Sequence, residues 1–136
     1  MKIPHYTKIH NRFKLNGYHF SAKELKEIGH DFIKEGMPYE MAIGDFIMDW
    51  MDKYDHINVK TSGSTGNSKI IKIYKQAMVS SALRTGDFFN VKIGDSALHC
   101  LPADFIAGKM MLVRAMILGL SLEFVENNLC SMKNLY

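Results

Sequence analysis

The segment Thr61-Ser62-Gly63-Ser64-Thr65-Gly66-Asn67-Ser68-Lys69 restricts this chain more than any other part of it. It is flanked by Ile57-Asn58-Val59-Lys60 and by Ile70-Ile71-Lys72-Ile73-Tyr74, two short β-branched runs that read as strands. A loop of small residues between strands lets successive backbone N–H groups approach an anion, and its glycines reach positive φ without a Cβ penalty. The hydroxyls of Thr61, Ser62, Ser64 and Thr65 add donors, and Lys69 adds a charge on a long stem. That inventory suits a polyphosphate. A plain surface turn closing a β-hairpin is the competing reading. The loop is not a Walker A loop, because two residues separate Gly66 from Lys69 and Ile70 stands where a hydroxyl is required. It is not the Gly-x-Gly-x-x-Gly dinucleotide fingerprint either.

Charge concentrates around the same loop. Residues 57–92 carry six basic groups and one acidic group, whereas residues 37–56 carry one basic and five acidic. The whole chain has 136 residues and a net charge of +3, too weak a bias to name a nucleic-acid partner. That length suits one domain, and 47% apolar with 23% charged residues excludes a mostly disordered chain. The most apolar stretch, residues 105–125, is interrupted by Lys109 and Arg114, so no membrane partner is expected. Cys100 and Cys130 form no CxxC pair and no disulfide framework, which points to a reducing, cytoplasmic compartment. The six histidines lack zinc-site spacing with them, and no metal ligand set is expected. His99 and Cys100, adjacent on a strand, face opposite sides and make a poor nucleophile–base pair.

Around Asn16-Gly17, Phe13-Lys14-Leu15 and Tyr18-His19-Phe20 alternate as a hairpin with a type I′ turn should. Ser21-Ala22-Lys23-Glu24 is a capping box opening a helix through Ala22, Leu25, Ile28 and Phe32, closed by Gly36 and Pro38. A second helix from about Pro38 buries Ile43, Phe46, Ile47, Trp50 and Met51, with Asp45, Asp49 and Asp52 on its solvated face. After the loop, a helix over 75–89 should bury Met78, Ala82 and Phe89. A strand over 95–101, a helix over 106–118 and a strand over 120–125 follow. Most methionines fall in apolar helical pattern and read as core filling. The fold class is α/β: an N-terminal hairpin and helices, then alternating strands and helices over one domain, residues 1–136.

The loop resembles the phosphate-binding signature of the adenylate-forming superfamily, Thr-Ser-Gly-Ser-Thr-Gly-x-Pro-Lys. Thr61, Ser62, Gly63, Ser64, Thr65, Gly66 and Lys69 match it, and Ser68 replaces the usual proline. A second segment, Leu101 to Ala115, is similar to the corresponding stretch of o-succinylbenzoate–CoA ligases, as is the helix containing Ser80-Ser81-Ala82-Leu83-Arg84-Thr85-Gly86. Many broader acyl-CoA synthetases carry a histidine where Phe105 stands, and that departure speaks against a generic fatty-acyl enzyme.

The resemblance implies part of the large domain of a two-step ligase of menaquinone biosynthesis. In such enzymes a carboxylate attacks the α-phosphate of ATP, and coenzyme A then displaces AMP. Ser62, Gly63, Ser64, Thr65 and Gly66 would cradle the β/γ-phosphates, with Thr61 and Lys69 assisting placement and electrostatics. Mg2+ would bridge phosphate oxygens. The resemblance assigns Lys109 and Arg114 at most a weak role toward an acidic substrate or CoA. It also implies that the adenine-binding motif, the magnesium-ligating acid, the ribose-binding aspartate and a catalytic lysine lie outside these residues. An N-terminal fragment without a complete catalytic set is therefore expected. Another acyl- or aryl-CoA ligase, a noncatalytic α/β interaction module and a homo-oligomer remain as alternatives.

Overall fold

The computed structural model describes residues 3–61 and 69–125. Helix α1 (Ala22–Glu35) begins at the expected capping box. The Glu24 N–H donates to Ser21 Oγ at 3.2 Å, and the Ser21 N–H donates to Glu24 Oε1 at 2.9 Å. The Ser21 N–H bond to the ionised carboxylate, with the neighbouring Ser21 hydroxyl second, holds the Glu24 carboxyl below its ordinary value. Leu25 is fully buried, Ile28 and Phe32 are half-buried, and Ala22 is exposed rather than part of the stripe. Helix α2 (Pro38–Trp50) opens on proline, whose missing N–H costs nothing in a first turn. It buries Ile43, Phe46, Ile47 and Trp50 as expected, leaves Met51, its C-cap, only half-buried, and packs along α1.

Strands β2 (His56–Lys60) and β3 (Ile70–Tyr74) form an antiparallel hairpin, register His56↔Tyr74 through Lys60↔Ile70. Helix α3 (Lys75–Phe88) follows without an intervening residue. It buries Met78 and Ala82, but Phe89 is 68% exposed, against the expectation of a core position. The helix ends at Phe88 with Phe89 as its C-cap, so the stripe does not continue to it.

Helix α4 (Ile106–Leu118) is buried on nearly every side, through Met110, Leu112, Val113, Ala115, Met116 and Ile117. A helix apolar all round belongs in the middle of a fold. Met37 and Met41, in contrast to the buried Met78, Met110 and Met116, are exposed.

A parallel three-stranded sheet, order β1-β5-β4, joins β1 (Lys14–Leu15), β5 (Ser121–Phe124) and β4 (Ser96–His99). Here the expected N-terminal hairpin is corrected. The turn is present: Asn16 and Gly17 take φ of 50° and 86°, and Leu15 and Tyr18 exchange two backbone hydrogen bonds. The arm after it makes only that single bridge. The strand partner of Lys14-Leu15 is instead β5, 107 positions further on at Lys14↔Ser121. Asn16 reinforces this choice, its Oδ1 accepting from the Phe124 N–H at 2.9 Å. Local turn chemistry is satisfied by two residues, and the long-range parallel ladder takes the rest. The result is a mixed α/β architecture, and no helix among the described residues is long and apolar enough to cross a membrane.

Candidate functional site

The β2–β3 hairpin carries the small-residue loop at one end and is anchored at the other. At the loop end, the Thr61 N–H donates to the Lys69 carbonyl at 2.8 Å, and the Lys69 N–H donates to Thr61 Oγ1 at 3.0 Å. The threonine hydroxyl and the two backbones thus close the mouth of the loop just beyond the Lys60↔Ile70 pair. Thr61 is half-buried, while Lys69 is exposed, as are Lys60 and Lys72 nearby on the two strands. Ser62, Gly63, Ser64, Thr65 and Gly66 lie outside the described residues.

The anchored end turns on a residue that the sequence reading passed over. Lys75, first in α3, is fully buried. Its Nζ donates to Asp52 Oδ1 at 2.8 Å and to the Tyr54 carbonyl at 2.5 Å, and lies 5.5 Å from the centre of the Tyr6 ring. Its backbone N–H donates to the Asp55 carbonyl at 2.8 Å. Next to it, Gln76 accepts from the Tyr6 N–H and donates to the Pro4 carbonyl, which ties the N-terminal segment to α3. Tyr6 meets Trp50 edge-on, and Trp50 meets Phe46. The Trp50 indole N–H is buried without a hydrogen-bond partner among the described residues. Nothing local in the sequence marks Lys75, because its partners Asp52 and Tyr54 are brought to it only by the fold.

The Asp45, Asp49 and Asp52 row is therefore more than a solvated face. Asp52 holds Lys75. Burial pushes the Asp49 carboxyl up, against the opposing pull of the Lys109 ammonium. Among the described residues no cluster of three or more His, Cys, Asp or Glu side chains could hold a metal. A concavity of about 290 Å³ at the hairpin's anchored end is lined by Asp49, Asp52, Tyr54, His56, Ile57 and Asn58.

The second motif, 101–115, folds as a tight turn into α4. Lys109 Nζ donates to the Ala103 carbonyl at 2.7 Å and sits 5.6 Å from the centre of the Phe46 ring. Burial lowers its affinity for a proton, opposed by Asp49, Asp104 and Asp45. Lys109 is thus half-buried and engaged with its own turn rather than an ordinary surface cation. Arg114 Nε is buried with no hydrogen-bond partner among the described residues. A Cβ at Gly108 would collide with the Pro102 carbonyl, so only glycine allows the turn and helix to approach so closely. His99 fastens the same place, its Nε2 donating to the Gly108 carbonyl at 3.0 Å. A carbonyl can only accept, so Nε2 carries the proton, and burial holds the ring neutral by lowering its pKa from 6.5. Cys100, beside it, is half-buried. Phe105, the N-cap of α4, is 43% exposed.

No protein-family model matches this chain, and no curated protein does either. Among solved structures, it is similar to an AMP-forming acyl-CoA synthetase/AMP-acid ligase II-like protein from Dyadobacter fermentans, with 35% sequence identity and a TM-score of 0.63. That similarity covers 74% of this chain and 29% of the Dyadobacter chain. On the part of the fold that the two chains share, the likeness supports the adenylate-forming superfamily.

Proposed function

We propose that this chain is the nucleotide-phosphate-binding portion of an ATP-dependent, AMP-forming carboxylate–CoA ligase. One observation carries the reading: the Thr61–Lys69 closure sets a small-residue loop at the tip of an anchored hairpin and leaves the Lys69 side chain exposed beside it. The likeness to an AMP-forming synthetase over 74% of the chain supports it. In this reading the backbone amides and hydroxyls of Ser62, Gly63, Ser64, Thr65 and Gly66 cradle the β/γ-phosphates. Thr61 sets the loop's closure, and Lys69 supplies charge. Preorganised donors and cations aimed at developing phosphate charge are worth more than the same groups in water. The cluster of Lys60, Lys69 and Lys72 fits a polyanion. Mg2+, when bound, neutralises phosphate oxygens, and the described residues add no carboxylate set for it.

Coenzyme A is the second substrate in this reading, the cytoplasm its compartment, and o-succinylbenzoate of menaquinone biosynthesis its acid, the last on the strength of the Leu101–Ala115 segment. The test is calorimetric titration of the chain with ATP and with pyrophosphate. Both should bind, and Lys69→Ala should weaken binding about tenfold, on the order of 1.4 kcal/mol. An unchanged Lys69→Ala titration, or no binding by the unaltered chain, overturns the reading. For the acid, a ligase carrying this portion together with the remaining parts of the fold should release AMP with o-succinylbenzoate and CoA. Equal turnover of simple fatty acids removes that assignment.

A further inference from the structure

Three parallel strands begin at one end of the sheet, and their first residues fall in register. Lys14 opens β1, Ser121 opens β5 and Ser96 opens β4, paired as Lys14↔Ser121 and Ser96↔Ser121. Alternate residues of a strand face opposite sides, so these three side chains form one row on the face away from the buried Leu15 and Leu122. The row is one wall of a cleft of about 340 Å³, which Arg12, His19 and Gly94 complete. These lining residues are all remote in sequence from the 61–69 loop.

Several cations elsewhere are engaged. Lys75 is paired with Asp52, Lys109 donates to the Ala103 carbonyl, and Lys53 and Lys72 lie over tyrosine rings. The Arg12 and Lys14 side chains have no ion-pair or hydrogen-bond partner among the described residues, and neither do the Ser96 and Ser121 hydroxyls. His19 Nδ1 donates to the Phe13 carbonyl at 3.1 Å, which leaves its Nε2 for a ligand. The acids next in sequence do not neutralise the group. Asp95 Oδ2 accepts from the Lys92 N–H at 2.8 Å, and Glu123 lines the adjoining concavity instead.

We propose that this cleft is a binding site for the phosphate group of a sugar phosphate. The Arg12 guanidinium presents paired donors that match two phosphate oxygens, and the Lys14 ammonium and two serine hydroxyls supply others. His19 Nε2 accepts from a protonated phosphate oxygen, or donates to a bare one as imidazolium. Two like charges lining one cleft repel, and a bound dianion removes that cost. Size separates an ester from free phosphate. The cleft falls in the volume range of small-molecule sites, so room remains beside the phosphate. Its remaining wall is serine and glycine rather than apolar side chains, which suits a polyol. This site is separate from the phosphate loop and does not depend on the ligase reading.

Calorimetric titration of the whole chain with glucose 6-phosphate, inorganic phosphate and glucose tests this. Glucose 6-phosphate should saturate below about 10 mM, inorganic phosphate should bind about tenfold more weakly, and glucose should not bind. Arg12→Ala, at an exposed position, should weaken the ester about tenfold while leaving the circular dichroism unchanged. Ser121→Ala and the exposed Ser96→Ala should each weaken it about threefold, because a built site senses the loss of a neutral hydroxyl. Lys69→Ala should leave it unaltered. Absence of saturable ester binding overturns the proposal. Binding that ignores both serine variants and vanishes with added NaCl also overturns it, since the cleft is then a diffuse positive patch. Inorganic phosphate binding as tightly as the ester removes the sugar phosphate. If Lys69→Ala abolishes ester binding, the phosphate loop is the site and the cleft is not.

Discussion

Lys69 and Lys75 stand six residues apart, on either side of β3, and have opposite circumstances. Among the described residues Lys69, at the loop mouth, is held through its backbone, and its side chain is exposed. Lys75 at the anchored end is fully buried, with its ammonium on a carboxylate, a carbonyl and an aromatic face. One lysine organises the hairpin, and the other keeps its side chain exposed at the loop mouth. Residue type is the same in both, so the difference lies in what the packing leaves within reach.

The largest effect should come from stranding the buried cation. Asp52→Ala leaves Lys75 without its carboxylate and should destabilise the chain by about 3 kcal/mol, read by urea unfolding. A loss below about 1 kcal/mol would mean that the ion pair does not anchor the hairpin. Lys75→Met should cost less, about 1–2 kcal/mol. It removes the charge together with its burial, and Asp52, partly exposed, can turn to water. Should Lys75→Met prove the costlier of the two, stranded charge is not what Asp52→Ala measures. At the mouth, Thr61→Val deletes the acceptor of the Lys69 N–H and should cost about 1 kcal/mol in the same assay.

His99 sharpens the contrast by showing a second way to tolerate burial, which is to shed the charge. Its folded pKa lies below the unfolded 6.5, so the unfolded chain binds more protons between those two values. Its contribution is complete above the unfolded value and is lost as pH falls below 6.5 toward the folded one. Urea midpoints should therefore drop on acidification through that window, and His99→Gln should flatten the slope there. An unaltered slope in the variant would place the sensitivity elsewhere. The smallest effect on stability belongs to Lys69→Ala, within about 0.5 kcal/mol of the unaltered chain, as expected for an exposed position. If it unfolds the chain instead, the loop mouth carries as much of the hairpin's stability as the anchored end.

Much of the local structure was legible from neighbouring residues. The capping box at Ser21, the proline start of α2, the strands flanking the loop and the limits of α4 each depend on interactions within a few positions. Periodicity also found the buried face of α2. It failed where partners lie far apart along the chain. Asn16-Gly17 specified a turn, yet the strand before it pairs with residues 121–122. Phe89 fits the apolar spacing of α3 but stands past the helix end. The candidate site divides in the same way, since residue order pointed to the loop and to Lys69 but was silent on Lys75.

The amino-acid order determined the chemistry that the chain can offer: a loop of donors and small residues with lysines around it, and an α/β succession of elements. Only the tertiary structure decided which charges are spent inside and which remain outside, and which strands share a sheet. Hydrogen-bonding potential and periodicity are properties of adjacent residues. Burial and pairing across 107 positions depend on which distant surfaces meet.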